Sequence, residues 1–211
     1  MSIQIKTYIL GPLQNNTYLV IDKQSGDSVI LDPAIGSQII LEDLKKNQLS
    51  LKQIWITHAH FDHIGGVERL SRAFIPPIPV AMHPQDNPLW EQGGGAKELD
   101  FELHLGPLPS KPLMDCQILK FGFSQFEVIL TPGHTPGHVV FYNANEGLAF
   151  CGDLLFRHAI GRSDFKGGNY EQLIASIKNR IFTLPDKTRL LSGHGPVTTV
   201  GEERKENPFL K

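Results

Sequence analysis

Four residues with metal-binding side chains stand within one short stretch, Thr57-His58-Ala59-His60-Phe61-Asp62-His63, spaced as H-x-H-x-D-H. Neutral imidazole and carboxylate are the ligands that borderline divalent cations such as zinc select. The whole chain holds nine histidines in 211 residues, so this clustering is a signal in itself. In an extended segment side chains alternate, which puts His58 and His60 on the same side. Asp62 and His63 then turn with the chain and face a second position. The spacing therefore predicts two metals.

Three further stretches end in the same way. Thr131-Pro132-Gly133-His134-Thr135-Pro136-Gly137-His138 follows the apolar run 126–130. Phe150-Cys151-Gly152-Asp153 closes another run, and Ser192-Gly193-His194-Gly195-Pro196 follows 188–191. In each, a ligand-type residue stands at the end of a predicted strand, beside a glycine that lets the backbone turn tightly. Ligands at successive strand ends on one edge of a sheet converge on one site.

The elements that must position these residues are partly legible. Ile54-Trp55-Ile56 reads as a buried strand and 64–74 as a helix ended before Pro76-Pro77, so the H-x-H-x-D-H motif is expected in a strand-to-helix loop. Segments 3–10, 17–22 and 28–32 read as antiparallel strands separated by turn residues. A helix is predicted over 37–47, with Ser37 as its N-cap and Ile39, Ile40 and Leu44 facing inward. The proline-rich stretch 75–112, with its Gly93-Gly94-Gly95 run, predicts irregular connections around a short strand near Val80. The last clear helix is expected over 170–180, capped by Asn169, with Leu173, Ile174 and Ile177 inward.

Composition narrows the class. A length of 211 residues suits one domain, 1–211, with a substantial core. Charged residues are 20% and the net charge is −2, which argues against a nucleic acid partner. No apolar run approaches the roughly 20 residues that span a bilayer, and the N-terminus lacks a signal pattern. Two cysteines, Cys116 and Cys151, do not make a disulfide framework, so a reduced, cytoplasmic protein is expected.

The motifs, in this order and over nearly the whole chain, resemble those of the metallo-β-lactamase superfamily, and within it the short glyoxalase II-like hydrolases. The matching stretches are T-H-A-H-F-D-H, P-G-H-T-P-G-H, C-G-D-L-L-F and S-G-H-G, with Asn15 to Val20 and Ile30-Leu31-Asp32-Pro33 before them and Glu206 to Phe209 after. The resemblance implies an α/β fold, a four-layer αββα sandwich with metals at one edge between its two sheets. By position it assigns His58, His60 and His134 to one metal and Asp62, His63 and His194 to the other, with Asp153 as the bridging carboxylate. Two divalent ions are implied, zinc first, with iron or manganese compatible with a ligand set free of thiolate. Ions about 3.5–4 Å apart can generate a hydroxide near neutral pH and polarise a carbonyl. The implied reaction is attack by that hydroxide, held by Asp62, on a hydroxyacyl thioester of the S-lactoylglutathione type. Full-length glyoxalase II enzymes carry a C-terminal helical domain for the thiol moiety; none is expected here after His194. The bulky Leu155-Phe156-Arg157-His158-Ala159 segment predicts a crowded rim.

Competing readings sit beside these. His83, His104 and His158 are expected to be surface or hydrogen-bonded histidines, and His138 a neighbour of the site without a ligand role. A structural metal would favour a closed site with cysteine, which this set lacks. Arg162 is either an ion pair with Asp164 or, with Lys166, an anion clamp at the site mouth that holds the substrate. A persulfide dioxygenase with one iron on His58, His134 and Asp153 is the alternative activity. A nuclease and a non-catalytic metal module are further rivals, disfavoured by charge and by the absence of a flavin domain.

Overall fold

In a computed structural model that describes residues 2–99, 103 and 105–211, the chain forms two six-stranded sheets packed face to face. The first runs in spatial order β1 (Ile3–Leu10), β2 (Asn15–Asp22), β3 (Asp27–Leu31), β4 (Ser50–Trp55), β5 (Val80–Met82) and β6 (Lys111–Pro112). The second is built from β7 (Ile118–Phe121), β8 (Ser124–Leu130), β9 (Val139–Asn143) and β10 (Leu148–Gly152). A small hairpin, β11 (Leu155–Phe156) and β12 (Ala159–Ile160), interrupts it before β13 (Arg189–Ser192) and β14 (Thr198–Thr199) complete its far side.

Alternation along the strands explains the layering. Inward residues of both sheets, among them Val20, Val29, Leu31, Trp55, Phe126, Phe141 and Phe150, form one apolar core between the sheets. Trp55 stacks on Phe141 at 5.1 Å and meets Phe126 edge-on at 5.4 Å, so one indole joins the two sheets. The outer face of the first sheet packs against α1 (Ile40–Lys46), α2 (Phe61–Ile64), α3 (Val67–Ser71) and α4 (Asn87–Glu91). The outer face of the second is covered by α5 (Tyr170–Ser176), which runs on into a π-helical turn, and by α6 (Val200–Glu206). The result is the expected αββα sandwich.

Strand direction brings the functional ends together. β3, β4 and β5 are mutually parallel, so all three end at one edge of the first sheet. β8 and β10 both run antiparallel to β9, and β13 is parallel to β10, so these three end together on the second. The two edges face each other, and every sequence motif with a ligand-type residue lies at that rim.

Several local expectations are corrected. Of the predicted helix over 64–74 only α3, Val67–Ser71, forms, because the chain bends through Gly65-Gly66; a separate helix, α2, ends at Ile64 and holds Asp62 and His63, which do not lie in a loop. Ser37 does not cap α1: its hydroxyl donates to Ala34 O at 2.6 Å, and a 3₁₀ turn opens the helix in place of a capped α-turn. Ile39 points outward and is 52% exposed, since the 3₁₀ turn shifts the apolar face onto Ile40 and Leu44. The segment 170–180 is not the last helix. A further helix, α6, follows it, with Val200 as its one buried apolar residue and the Thr199 hydroxyl accepting from Glu202 N at its start. Asn169 does cap α5, with Leu173 and Ile177 buried and Ile174 half-buried.

Candidate metal centre

Ligand-type atoms from four strand ends converge at the rim. His58 Nε2, His60 Nδ1 and His134 Nε2 form one group, with His134 Nε2 lying 2.9 Å from His60 Nδ1 and 3.2 Å from His58 Nε2. Asp62, His63 and His194 form another, with His194 Nε2 at 3.1 Å from Asp62 Oδ2. Asp153 lies between them: Oδ1 is 3.3 Å from His63 Nε2, while Oδ2 is 3.6 Å from His194 and 3.8 Å from His134. All seven residues singled out from the sequence are therefore brought together.

The hydrogen bonds behind the rings decide where their lone pairs point. His134 Nδ1 donates to Arg162 O at 2.6 Å, which leaves Nε2 unprotonated. His58 Nδ1 donates to Thr57 Oγ1 at 3.0 Å, because the threonine proton is already given to Asp32 Oδ2 at 2.6 Å. His63 Nδ1 donates to the same Asp32 oxygen at 3.0 Å. The Nε2 lone pairs of His58 and His134 thus face each other. Two lone pairs at that separation repel unless a cation sits among them, and tetrahedral ligands with bonds of about 2.0–2.1 Å stand roughly 3.3 Å apart. His63 Nε2 and Asp153 Oδ1 are buried and make no well-formed hydrogen bond, facing each other across 3.3 Å. The residues fit divalent metal ions.

Electrostatics separate the two groups. Burial pushes the pKa of His58 well down, and the nearby rings of His63 and His134 push it further. Burial and His134 bring His60 down to about 3, and burial lowers His134 also. These three are neutral at physiological pH, the state a metal ion requires of imidazole. Burial opposes charge on His63 too, but Asp62 and Asp153 outweigh it and raise its pKa well above the usual range. His194 is likewise raised, the hydrogen bond to Asp62 overcoming burial. Asp153, though burial disfavours its charge, is held ionised by His63 and His134.

Backbone packing at the rim is close. A Cβ on Gly193 would stand 2.2 Å from Asp153 Oδ1 and 2.6 Å from His63 Cε1, so only glycine fits beside the site. The Gly93-Gly94-Gly95 run is not a slack connection: Gly94 O accepts from Phe61 N at 2.9 Å and braces the motif.

The remaining sequence candidates fall where their chemistry allows. His138 is buried behind His58, its ring stacked at 5.2 Å, and its Nδ1 pairs with Thr131 Oγ1. His83 is half-buried, His158 is exposed against Glu202 and Glu206, and His104 lies outside the described residues. Arg162 makes a two-pronged ion pair with Asp164, both bonds 2.9 Å, and its guanidinium lies 4.2 Å over the Phe165 ring. Phe165 in turn meets the His60 ring at 5.1 Å. Cys116 and Cys151 are both free. Two residues escaped the sequence reading as site residues. Asp32 was visible only as part of Ile30-Leu31-Asp32-Pro33, and Asp86, fully buried, had no signal beyond its place after a short strand.

The site floors an open cleft of about 1300 Å³. Phe156, Ile160, Phe165 and Leu89 give it apolar walls, and Lys97, Arg157, Arg162 and Lys166 stand on its rim. The bulky Phe156-Arg157 pair thus does crowd the mouth. Among the described residues no helix is long and apolar enough to cross a membrane.

Comparison with known proteins agrees with this geometry. Hydroxyacylglutathione hydrolase GloC of Haemophilus influenzae is 37% identical over 174 residues, 79% of each chain. A crystal structure of BLEG-1 B3 metallo-beta-lactamase superposes with a TM-score of 0.89 at 37% identity, covering 98% of this chain and 99% of that one. TTHA1623, solved in a di-iron-bound form, gives 0.87 at 41% identity, covering 97% and 100%. The profile of the metallo-beta-lactamase superfamily matches residues 10–194, a span that takes in every ligand-type residue from His58 to His194, and the chain belongs to that superfamily.

Proposed function

We propose that the chain, acting as one domain over 1–211, is a dinuclear metal-dependent hydrolase of hydroxyacyl thioesters, with S-lactoylglutathione the type of substrate. The observation that carries this reading is the pair of ligand groups joined through Asp153 at the floor of the cleft. The relation to GloC supports the thioester over other acyl substrates. His58, His60 and His134 would hold one ion, Asp62, His63 and His194 the other, and Asp153 both. Zinc suits this ligand set, and iron or manganese would also be accepted. When bound, the two ions supply Lewis acidity and lower the pKa of water toward about 7.

The chain's own groups do the rest. Asp62 lines the cleft and is ionised, since His63 and the His194 hydrogen bond overcome the effect of burial. It orients the attacking water and accepts its proton. Attack forms the carbonyl C–O bond and breaks C–S, and the proton taken up by Asp62 passes to the departing sulfur, so that a hydroxy acid and a thiol are released. The apolar walls exclude bulk water around the acyl group, and Arg162 and Lys166 at the mouth hold the anionic end of the substrate. Of these two, Arg162 already shares its charge with Asp164, so Lys166 is the freer cation.

The test is hydrolysis of S-lactoylglutathione by zinc-loaded and iron-loaded protein, with metal counted in the same preparation. Two ions per chain and thiol release support the reading. One ion per chain, with oxygen uptake on glutathione persulfide and no thioester cleavage, would replace it by the dioxygenase.

A further inference from the structure

Asp86 is a fully buried carboxylate that the proposed reaction does not use. It closes the 3₁₀ turn Pro84–Asp86 after β5. Its side-chain hydrogen bonds ignore that turn. Oδ2 accepts from Ala59 N at 2.9 Å and from the Thr135 hydroxyl at 2.8 Å, and Oδ1 accepts from Gly137 N at 2.6 Å. Ala59 stands between His58 and His60; Thr135 and Gly137 follow His134. One carboxylate therefore ties the loop of the first sheet that carries two histidines to the loop of the second that carries the third.

Two further observations make the tie specific. A Cβ on Gly137 would stand 2.7 Å from Asp86 N and 2.8 Å from Oδ1, so the second loop is shaped to receive this carboxylate. Among the described residues Asp86 makes no ion pair. Burial raises its pKa, and the hydrogen bonds from Thr135, Ala59 and Gly137 pull it back. A buried carboxylate held by three neutral donors is costly to retain for turn formation alone.

We propose that Asp86 is a positioning residue for the His58–His60–His134 group: it fixes the distance between the two loops and so sets the affinity of the ion those histidines hold. The inference rests on the metal reading above and adds a determinant outside the ligand set. An ion tolerates ligand displacements of only a few tenths of an ångström, so loosening this tie weakens binding even though no ligand is removed.

Asp86→Asn is nearly isosteric and tests this directly. An amide offers an acceptor on one side only, so its NH₂ must face either Gly137 N–H or the Ala59 and Thr135 donors. Zinc is titrated into metal-free protein against a competing chelator, and melting is followed with and without zinc. The expected result is a metal-free melting temperature close to that of the parent, with one zinc bound about 10–100-fold more weakly and the other nearly unchanged. The gain in melting temperature on adding zinc shrinks accordingly. Unchanged affinity for both ions overturns the proposal, whatever happens to stability. Equal weakening of both also overturns it, since the tie reaches only one group. Should Asp86→Asn fail to fold, Thr135→Val removes one of the three donors and is expected to weaken the same ion several-fold; no change would again refute the role. Failure of the parent to bind zinc at all would instead remove the metal reading itself.

Discussion

His63 donates from Nδ1 to Asp32 Oδ2 across 3.0 Å, and the same oxygen takes the Thr57 hydroxyl that receives His58 Nδ1. One carboxylate at the end of β3 thereby sets the tautomer of a histidine in each ligand group. Asp32 also accepts Thr57 N through Oδ1 at 2.8 Å, and it sits in the left-handed region with φ 47°, a conformation that Asn shares with Asp.

Asp32→Asn should therefore keep the turn and lose the tautomer control. We expect affinity for both ions to fall about 10–100-fold, read by chelator competition. A loss confined to one ion would show that the relay through Thr57 does not matter.

Asp153→Ala should release both ions, because Asp153 lies between the groups, whereas Asp62→Ala should release one. Elemental analysis of each purified variant after zinc reconstitution checks this. Two ions retained by Asp153→Ala would end the bridging assignment.

Acidification should empty the two positions in order. His63 and His194 have raised pKa values in the metal-free protein, so they bind protons that an ion must displace. His58, His60 and His134 are already neutral and release none. On going from about pH 8 to about pH 5, affinity at the Asp62–His63–His194 group should fall first and more steeply. Calorimetry in buffers of different ionisation enthalpy measures the protons released; equal release at both positions would contradict the assignment.

Lys166→Ala should raise KM for an anionic thioester several-fold, with metal content and kcat unchanged and the effect fading at high salt. Arg162→Ala should do less, because an exposed pair with Asp164 leaves it little free charge. A larger effect of Arg162→Ala on an uncharged thioester would point to its packing over Phe165.

Asp22→Ala should damage the fold and spare the site. Its buried carboxylate accepts from Gln24 N and Ser25 N in its own turn and from Phe123 N and Ser124 Oγ on the second sheet. Burial disfavours its charge, but these donors hold its pKa below the usual value. Its stabilising effect is therefore present above the unfolded pKa near 4 and is lost as pH falls through the lower folded value. We expect a loss of about 2–4 kcal/mol in denaturant unfolding, with zinc stoichiometry unchanged.

The candidate ligand set was legible because metal chemistry restricts residue type and because strand ends carry apolar runs before them. His58 and Asp153 could be read for both reasons. Asp86 could not, since a buried aspartate that accepts backbone donors looks like any other in a one-dimensional string; only the approach of Ala59 and Gly137 gives it a role. The break at Gly65-Gly66 agrees with local propensity, since two glycines disfavour a helix, and Gly66 N donating to Pro33 O at 2.8 Å fixes it. Ser37 fails as a cap for a different reason: its hydroxyl is spent on Ala34 O three residues back.

Asp62 and His194 stand 132 positions apart in the chain and meet at 3.1 Å. An ion gripped by both would act on the polymer as a clasp closing a loop of that length. By loop-closure entropy alone such a clasp restricts the unfolded chain by about 5 kcal/mol. With both cysteines free, this chain has no covalent equivalent. Chelation should thus cost the protein resistance to unfolding as well as activity, and a proteolytic nick between the two residues should separate the halves only once the metal is gone.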